Sequence, residues 1–218
     1  MAVLDGPAHC RREGAKSNVG GRIDAGSANK EAGMLGLFRR RETPEQQQAR
    51  AIYVALAEQA RRPEFYADLK VPDTVDGRFD LLAVHAWLVI ERLSVEPDAA
   101  TLNQAVFDAM FGHLDLTVRE MGAQDLGVGR RIKIMAEGFR GRSVAFQGAV
   151  ADADDTALRA VVRRNVYGKA EAPDEGVDAL CAYIRGSAAG LAAVDRDGML
   201  AARLKWAKIS IYKQGDKP

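Results

Sequence analysis

Apolar residues recur at spacings of three and four through most of the chain after residue 43, which is the period of amphipathic helices. No stretch shows the strict alternation of apolar and polar residues that is typical of strands. The pattern predicts helices over residues 44–60, 79–93, 99–122, 127–150, 154–167 and 176–194, with short helices after Pro63 and after Gly198. We therefore expect an all-α fold, a single compact multi-helix bundle with a disordered N-terminal extension.

Capping residues and glycines mark several helix boundaries. Thr43 is followed three residues later by Gln46, the order of a capping box, and predicts a helix start between them. Asp154 or Asp155 can cap the helix that follows. The stretch GAQDLGVG, residues 122–129, is rich in glycine, and we expect it to separate two helices.

The predicted helix over residues 79–93 carries apolar side chains on nearly every side, which is typical of a central helix that its neighbours cover. Its apolar run is too short for the roughly 20 residues that a membrane span requires. Just before it, Asp76 and Gly77 fit a turn into the helix. Arg78 can reach Asp80 or another carboxylate.

The two ends of the chain differ in composition from its middle. Residues 1–33 are dominated by glycine, alanine and small polar residues, and we expect them to be disordered. Met34 and the following LGLFRRR resemble a natural start, which suggests the hypothesis that the first 33 residues are a misassigned extension. We expect residues 34–43 to form a basic amphipathic lead-in, 44–208 a helical domain and 209–218 a frayed tail.

Composition and charge narrow the possible partners. The 31 basic and 30 acidic residues give a net charge of +1, so there is no general attraction to nucleic acid and we expect no DNA binding. Cys10 and Cys181 lie far apart in sequence, and Cys10 falls in the segment that we expect to be disordered, so neither a disulfide nor a zinc site is expected. Free thiols fit a reducing cytoplasm.

Catalytic motifs are missing from the sequence. It contains no GxSxG element, and GVGRR at residues 127–131 lacks the order of a phosphate-binding loop and reads as a helix start. Cys181 lies in an apolar helical stripe without a nearby base. We therefore expect neither an enzyme nor a small-molecule substrate, and no metal site.

Two histidines lie in the predicted helical domain, His85 and His113, and they fall on different helices. Together they could hold a haem, and Met110, one turn before His113, could replace one of them as an axial ligand. In the alternative interpretation His85 is a hydrogen-bonded core residue and His113 lies beside a polar face. No haem-binding motif supports the first interpretation, so we expect no cofactor.

Basic residues cluster on the predicted helix after residue 127. Arg130, Lys133 and Arg140 fall on one side of it, interrupted by Glu137, and Arg131 lies beside them. Such a basic surface could bind RNA, an anionic lipid or an acidic protein, and it could equally be a solvated face.

Three ordered blocks carry a family resemblance: VPDTVDGRFDLLAVHAWLVIERL, LNQAVFDAMFGHLDLTVREMGAQDLGVGRRIKIMAEGFRGR and LRAVVRRNVYG. They resemble the ubiquinol-cytochrome c chaperone family in its bacterial form, and the similarity covers residues from about 50 to 195. The resemblance implies a non-enzymatic assembly factor of respiratory complex III that binds newly made cytochrome b. A haem-binding or haem-delivery protein for cytochrome b maturation is the alternative.

The resemblance also implies a place of action and a contact surface. It implies a cytoplasmic protein, peripheral on the cytoplasmic face of the inner membrane, with the ribosome or the membrane surface as further partners. By block, it places client contact at Asp76, Arg78, Phe79, Asp80, Phe107, Asp108, Phe111, Asp115, Arg119, Glu120 and Met121. Core packing remains an alternative role for Phe107, Phe111 and Met121.

Overall fold

The computed structural model describes residues 42–97, 99–120 and 125–210, and within them the backbone is helical without strands. This confirms the all-α prediction. The helices, in chain order, are α1 (Pro44–Ala60), α2 (Pro63–Ala67), α3 (Val75–Leu93), α4 (Ala100–Glu120), α5 (Asp125–Ala151), α6 (Asp155–Val162), which continues as a π-helical segment (Arg163–Tyr167), α7 (Asp174–Ala192) and α8 (Arg196–Leu200). The expectations for residues 1–33, for most of 34–43, for Met121 and for the tail from residue 211 lie outside the described residues.

Capping fixes the starts of α1 and α6 where the sequence predicts them. The Gln46 amide N–H donates to Oγ1 of Thr43 at 3.3 Å, and the Thr43 N–H donates to Oε1 of Gln46 at 3.0 Å. At α6 the Thr156 N–H donates to Oδ1 of Asp154 at 2.8 Å. Each cap satisfies an amide that the first helical turn leaves unpaired.

The central helix α3 begins earlier than predicted, at Val75 instead of residue 79. The prediction of a turn at Asp76 and Gly77 is therefore wrong, because Oγ1 of Thr74 accepts from the Gly77 N–H at 3.1 Å and starts the helix there. Gly77 also lies against Pro72: a Cβ at this position would be 2.1 Å from the Pro72 carbonyl oxygen. Only glycine allows this approach.

Helix α5 also begins before its predicted start. The helix begins at Asp125, two residues before the predicted start at residue 127, and Gly127 and Gly129 lie inside it as predicted. Val128 between them is fully buried. Burial of one valine offsets a helix cost of roughly 1 kcal/mol for each glycine, which explains why the helix continues through them.

Helix α3 forms the axis of the domain. It contacts α1, α4, α5, α7 and the π-helical segment, and its middle turns from Leu81 to Val89 are buried on every side. This confirms the prediction of a central helix. Along one flank α1 packs against α4, and on the other α6 packs between α5 and α7.

After α8 the chain becomes extended and lies along α7. Helix α8 begins at Arg196, so Gly198 falls within it and not before it as predicted. We call residues 203–209 the C-terminal strap. The Ala207 N–H donates to Oγ of Ser187 at 3.1 Å, and a Cβ on Gly190 would lie 2.6 Å from the Lys205 carbonyl oxygen. The glycine thus opens the groove in which the strap lies.

Candidate functional site

A cavity of about 270 Å³ lies where α1, α3, α4 and α5 meet. Its walls are largely apolar and aromatic, because each helix contributes side chains from a partly buried face. We call it the aromatic cavity; its wall residues are Tyr53, Ala57, Ala60, Tyr66, Val75, Phe79, Leu82, His113, Leu114, Thr117 and Met135.

Three arginines surround the mouth of the aromatic cavity: Arg61, Arg78 and Arg131. Nε of Arg78 lies 2.5 Å from Oδ1 of Asp73, and its guanidinium lies 5.7 Å above the Tyr66 ring. A terminal nitrogen of Arg131 lies 3.8 Å from Oδ1 of Asp76. Arg61 makes no ion pair with any carboxylate of the described residues. The mouth therefore carries positive charge over an apolar interior.

The polar groups on the cavity wall bind each other. The Tyr53 hydroxyl lies 3.0 Å from Nδ1 of His113, and the Tyr66 hydroxyl donates to the Ala60 carbonyl at 2.9 Å. Burial raises the pKa of both tyrosines, so the phenols stay neutral at physiological pH. These hydrogen bonds leave a wall that is mainly apolar and aromatic.

Two shallow hollows adjoin the aromatic cavity along α1. One, of about 530 Å³, shares Tyr53 and His113 with the cavity and is also lined by Glu42, Arg50 and Asp108. The other, of about 500 Å³, shares Arg61, Tyr66 and Arg78 with it. These shared residues link the three spaces along α1, and we refer to the three together as the α1 groove.

An ion pair beside Phe79 joins α3 to α5. Oδ1 of Asp80 lies 2.6 Å from a terminal nitrogen of Arg142, whose guanidinium also lies 5.6 Å above the Phe79 ring. The pair is mostly buried, with 15% of the Asp80 side chain and 26% of the Arg142 side chain exposed. Burial raises the pKa of Asp80 to about 6, although Arg142 acts in the opposite direction.

Of the four residues predicted for client contact on α3, Arg78 and Phe79 line the aromatic cavity, whereas Asp76 and Asp80 lie beside it. Arg78 lies at the mouth, Phe79 is buried in the wall, and Asp80 lies in the ion pair behind it. Asp76 is exposed, facing Arg131 of the predicted basic surface. The structure thus brings the DGRFD element and the start of α5 together.

The residues predicted on α4 do not form one surface with DGRFD. Phe107 and Phe111 pack edge-to-face against Phe139 of α5, with ring centroids 5.7 and 6.3 Å apart, between the two helices. Asp108 lines the α1 groove outside the aromatic cavity and accepts from Gln104 at 2.7 Å.

Further along α4, Asp115, Arg119 and Glu120 are near the surface. Asp115 pairs with Arg119 at 2.8 Å, and Glu120 is exposed at the end of the helix. The side of α4 that lines the cavity consists instead of His113, Leu114 and Thr117, which sequence reasoning did not assign to this site. Their spacing of one and four residues places them on one side of a helix, and this was the sequence signal that could have identified them.

The predicted basic surface on α5 is exposed. Arg130, Lys133 and Arg140 are all open to solvent, while Arg131 turns toward the mouth of the aromatic cavity. Two large apolar residues on α5 are also exposed, Ile134 at 58% and Val144 at 71%. Exposed apolar side chains that are scattered singly are common on protein surfaces and do not by themselves mark a partner site.

His85 is a hydrogen-bonded core residue. Its Nδ1 lies 2.8 Å from the Leu81 carbonyl oxygen and its Nε2 lies 2.8 Å from the Tyr183 hydroxyl. Burial lowers the pKa of His85 to about 4, so the ring is neutral. Both ring nitrogens are used, so His85 has none left for haem iron, and Met110 is fully buried. Of the haem candidates only His113 reaches a cavity.

Cys181 is the free thiol among the described residues. It is buried in α7, and burial raises its pKa to about 11. A thiol in this setting stays protonated and is a poor nucleophile. Among the described residues, no group of three or more potential ligands could hold a metal ion, and no helix is both long and apolar enough to cross a membrane.

An all-helical domain with a small apolar cavity below a charged mouth fits a binding protein. The ubiquinol-cytochrome C chaperone family matches residues 67–206, which include α3, α4 and α5. The chain belongs to this family.

Two individual proteins are similar to this chain. A crystal structure of a Cbp3 homologue from Brucella abortus is similar, with a TM-score of 0.68 and 30% identity, over 81% of this chain and 97% of that one. Ubiquinol-cytochrome c reductase complex assembly factor 1 of Drosophila melanogaster is 23% identical over 152 residues, which are 67% of this chain. The match spans 58% of the length of that relative.

Proposed function

We propose that this protein is a non-enzymatic chaperone that binds newly made cytochrome b and assists assembly of ubiquinol-cytochrome c reductase, respiratory complex III. The observation that carries the proposal is the family match over residues 67–206, supported by a relative whose name describes assembly of that complex. The mechanism is binding and release without a chemical step.

The aromatic cavity supports a chaperone role because of its size and setting. A chaperone for a membrane protein has to hold apolar segments without exposing a large apolar patch of its own. Here the apolar surface is recessed between four helices, and Arg61, Arg78 and Arg131 surround it. A charged rim around an apolar centre is also the usual anatomy of protein interfaces.

A non-enzymatic role fits the state of the reactive groups. The Cys181 thiol and the His85 imidazole are both buried, and their pKa shifts favour the neutral forms. Neither group can reach a client in the α1 groove without unfolding of the core.

We place the protein at the cytoplasmic face of the inner membrane, where a nascent membrane protein first becomes accessible. The basic surface of Arg130, Lys133 and Arg140 supports this location, since anionic lipid and ribosomal RNA both attract clustered cations. In this arrangement the α1 groove binds the client, and the basic surface binds the membrane or the ribosome.

A deletion strain complemented with variants tests the proposal. Deletion should lower assembled cytochrome b, measured by its absorbance and by native gel electrophoresis, while its transcript stays normal. Thr117→Trp, which fills the cavity mouth, should fail to restore assembly, whereas Val144→Trp on an exposed part of α5 should restore it. Normal complex III in the deletion strain would refute the proposal.

Photocrosslinking identifies the client directly. A photoreactive residue at position 61 or 117 should capture cytochrome b in cells, and one at position 144 should not. Capture of an unrelated protein at both cavity positions would contradict the assignment of the client.

A further inference from the structure

The aromatic cavity suits an apolar occupant of limited size. The two phenols and Nδ1 of His113 already bind protein groups, so most of the polar capacity of the wall is used within the protein. Its volume of about 270 Å³ is just below the roughly 300–1,000 Å³ of typical small-molecule pockets. A single large side chain fits better, the kind of anchor that supplies most of the binding energy at protein interfaces.

The mouth of the cavity adds a requirement for negative charge. The Arg78–Asp73 and Arg131–Asp76 pairs are exposed, with 61% and 49% of the arginine side chains accessible, so water screens both pairs and the arginines can exchange partners. Arg61 has no carboxylate partner in the described part of the chain. Three guanidinium groups against two carboxylates leave this end of the α1 groove positive.

The opposite end of the α1 groove carries negative charge. Glu42 pairs with Arg50 at 3.2 Å, and Asp108 accepts from the neutral amide of Gln104 without a cation partner in the described residues. The two ends are separated by the length of α1, whose 17 residues span roughly 25 Å. The groove is therefore polar along its axis, positive near Arg61 and negative near Asp108.

We infer that the α1 groove binds an amphipathic peptide segment in one orientation, with a large apolar side chain in the aromatic cavity and a neighbouring carboxylate facing Arg61. The inference rests on the proposed function for the identity of the client and adds the chemistry of the segment. Charge complementarity sets orientation and selects against segments with a cation beside the anchor.

Peptide binding to the purified full chain tests this recognition. The probe is a short, capped, fluorescein-labelled helical peptide of alanine and glutamine with one central Phe and two Glu on the adjacent turn. Matched peptides carry Lys in place of Glu, or Ala in place of Phe. We expect the Glu and Phe peptide to bind about tenfold more tightly than either matched peptide in fluorescence anisotropy.

Variants show whether the α1 groove is responsible for the peptide preference. Arg61→Glu should abolish the preference for the Glu peptide or reverse it. Arg164→Glu, an exposed arginine on the π-helical segment away from the groove, should leave the preference intact. Equal affinity for the Glu and Lys peptides, or no binding of any peptide, would overturn the inference.

A lipid is the competing occupant of the groove. Arg61-dependent binding of phosphatidylglycerol vesicles, without binding of the peptides, would assign the groove to an anionic lipid and reject the peptide. A deletion strain that lacks complex III, combined with equal peptide affinities, would reject this inference and leave the proposed function standing. Normal complex III in the deletion strain, together with the expected peptide preference, would reject the proposed function and leave the peptide-binding inference standing.

Discussion

The hydroxyl of Tyr183 lies 2.8 Å from Nε2 of His85 in the centre of the bundle. Nδ1 of His85 faces the Leu81 carbonyl, which can only accept, so Nδ1 carries the proton and Nε2 accepts from Tyr183. The Tyr183 oxygen in turn accepts from Nε2 of Gln59 at 3.1 Å. This chain of hydrogen bonds joins α1, α3 and α7, and it gives the core histidine a structural role.

Tyr183→Phe should destabilise the domain. It removes the donor to His85 and leaves a buried nitrogen unsatisfied, which costs about 1–3 kcal/mol. Urea unfolding followed by circular dichroism measures the loss. Tyr66→Phe is the control, because the Tyr66 hydroxyl is only partly buried and its loss should cost less. Equal losses in the two variants would contradict a special role for the buried chain.

Helix positions could be predicted from the sequence where local signals determine them. The capping box at Thr43 and the apolar period of α1 and α4 depend on residues within one or two turns of each other, and these helices form close to where they are predicted. The start of α3 could not be predicted in this way, because it depends on the approach of Gly77 to Pro72 in the preceding loop.

The candidate site was harder to predict because four helices build it. Arg78 and Phe79 stand out in sequence through the DGRFD element, and they do line the cavity. Arg61 follows the last residue of α1 and Thr117 lies within α4, both at unremarkable polar positions, and only the packing of those helices brings them to the cavity. The C-terminal strap was missed for a similar reason, since the groove that holds it is a property of α7.

Two buried groups have opposite effects on stability between pH 4 and 6. The pKa of His85 is about 4 in the folded protein against an ordinary 6.5, so its contribution is complete above pH 6.5 and is lost as the pH falls toward 4. The pKa of Asp80 is about 6 against an ordinary 3.8, so its contribution is complete below pH 3.8 and is lost as the pH rises toward 6. The two slopes largely cancel.

Asp80→Asn should therefore expose the pH dependence of stability that His85 contributes. Without the aspartate, the free energy of unfolding should rise with pH between 4 and 6 more steeply than in the wild type, by up to about 1.4 kcal/mol per pH unit. Urea unfolding at a series of pH values measures the slope. Asp76→Asn, at an exposed position, is the control. An unchanged slope in Asp80→Asn would show that this carboxyl group titrates alike in the folded and unfolded chains.

Substitution of alanine at two helical glycines should have opposite effects. Gly77→Ala would place Cβ 2.1 Å from the Pro72 carbonyl oxygen, so the start of α3 must shift, at a cost of about 2–3 kcal/mol. Gly141→Ala meets nothing within 4 Å on the exposed side of α5 and should stabilise by about 0.5–1 kcal/mol. Thermal unfolding measures the stability of both variants. A Gly77→Ala variant as stable as the wild type would show that the loop before α3 can move aside at little cost.

Gly190→Ala tests whether the C-terminal strap depends on the surface of α7. The new Cβ would lie 2.6 Å from the Lys205 carbonyl oxygen, a backbone atom that moves only if the strap moves. We expect the Ala207 amide, which donates to Ser187, to lose protection in hydrogen exchange measured by mass spectrometry, while α1 and α4 keep theirs. Gly148→Ala on α5, where Cβ meets open space, is the matched control. Unchanged protection of residues 203–209 in Gly190→Ala would mean that contacts such as that of Trp206 with the His85 ring, at 5.0 Å, hold the strap without the groove.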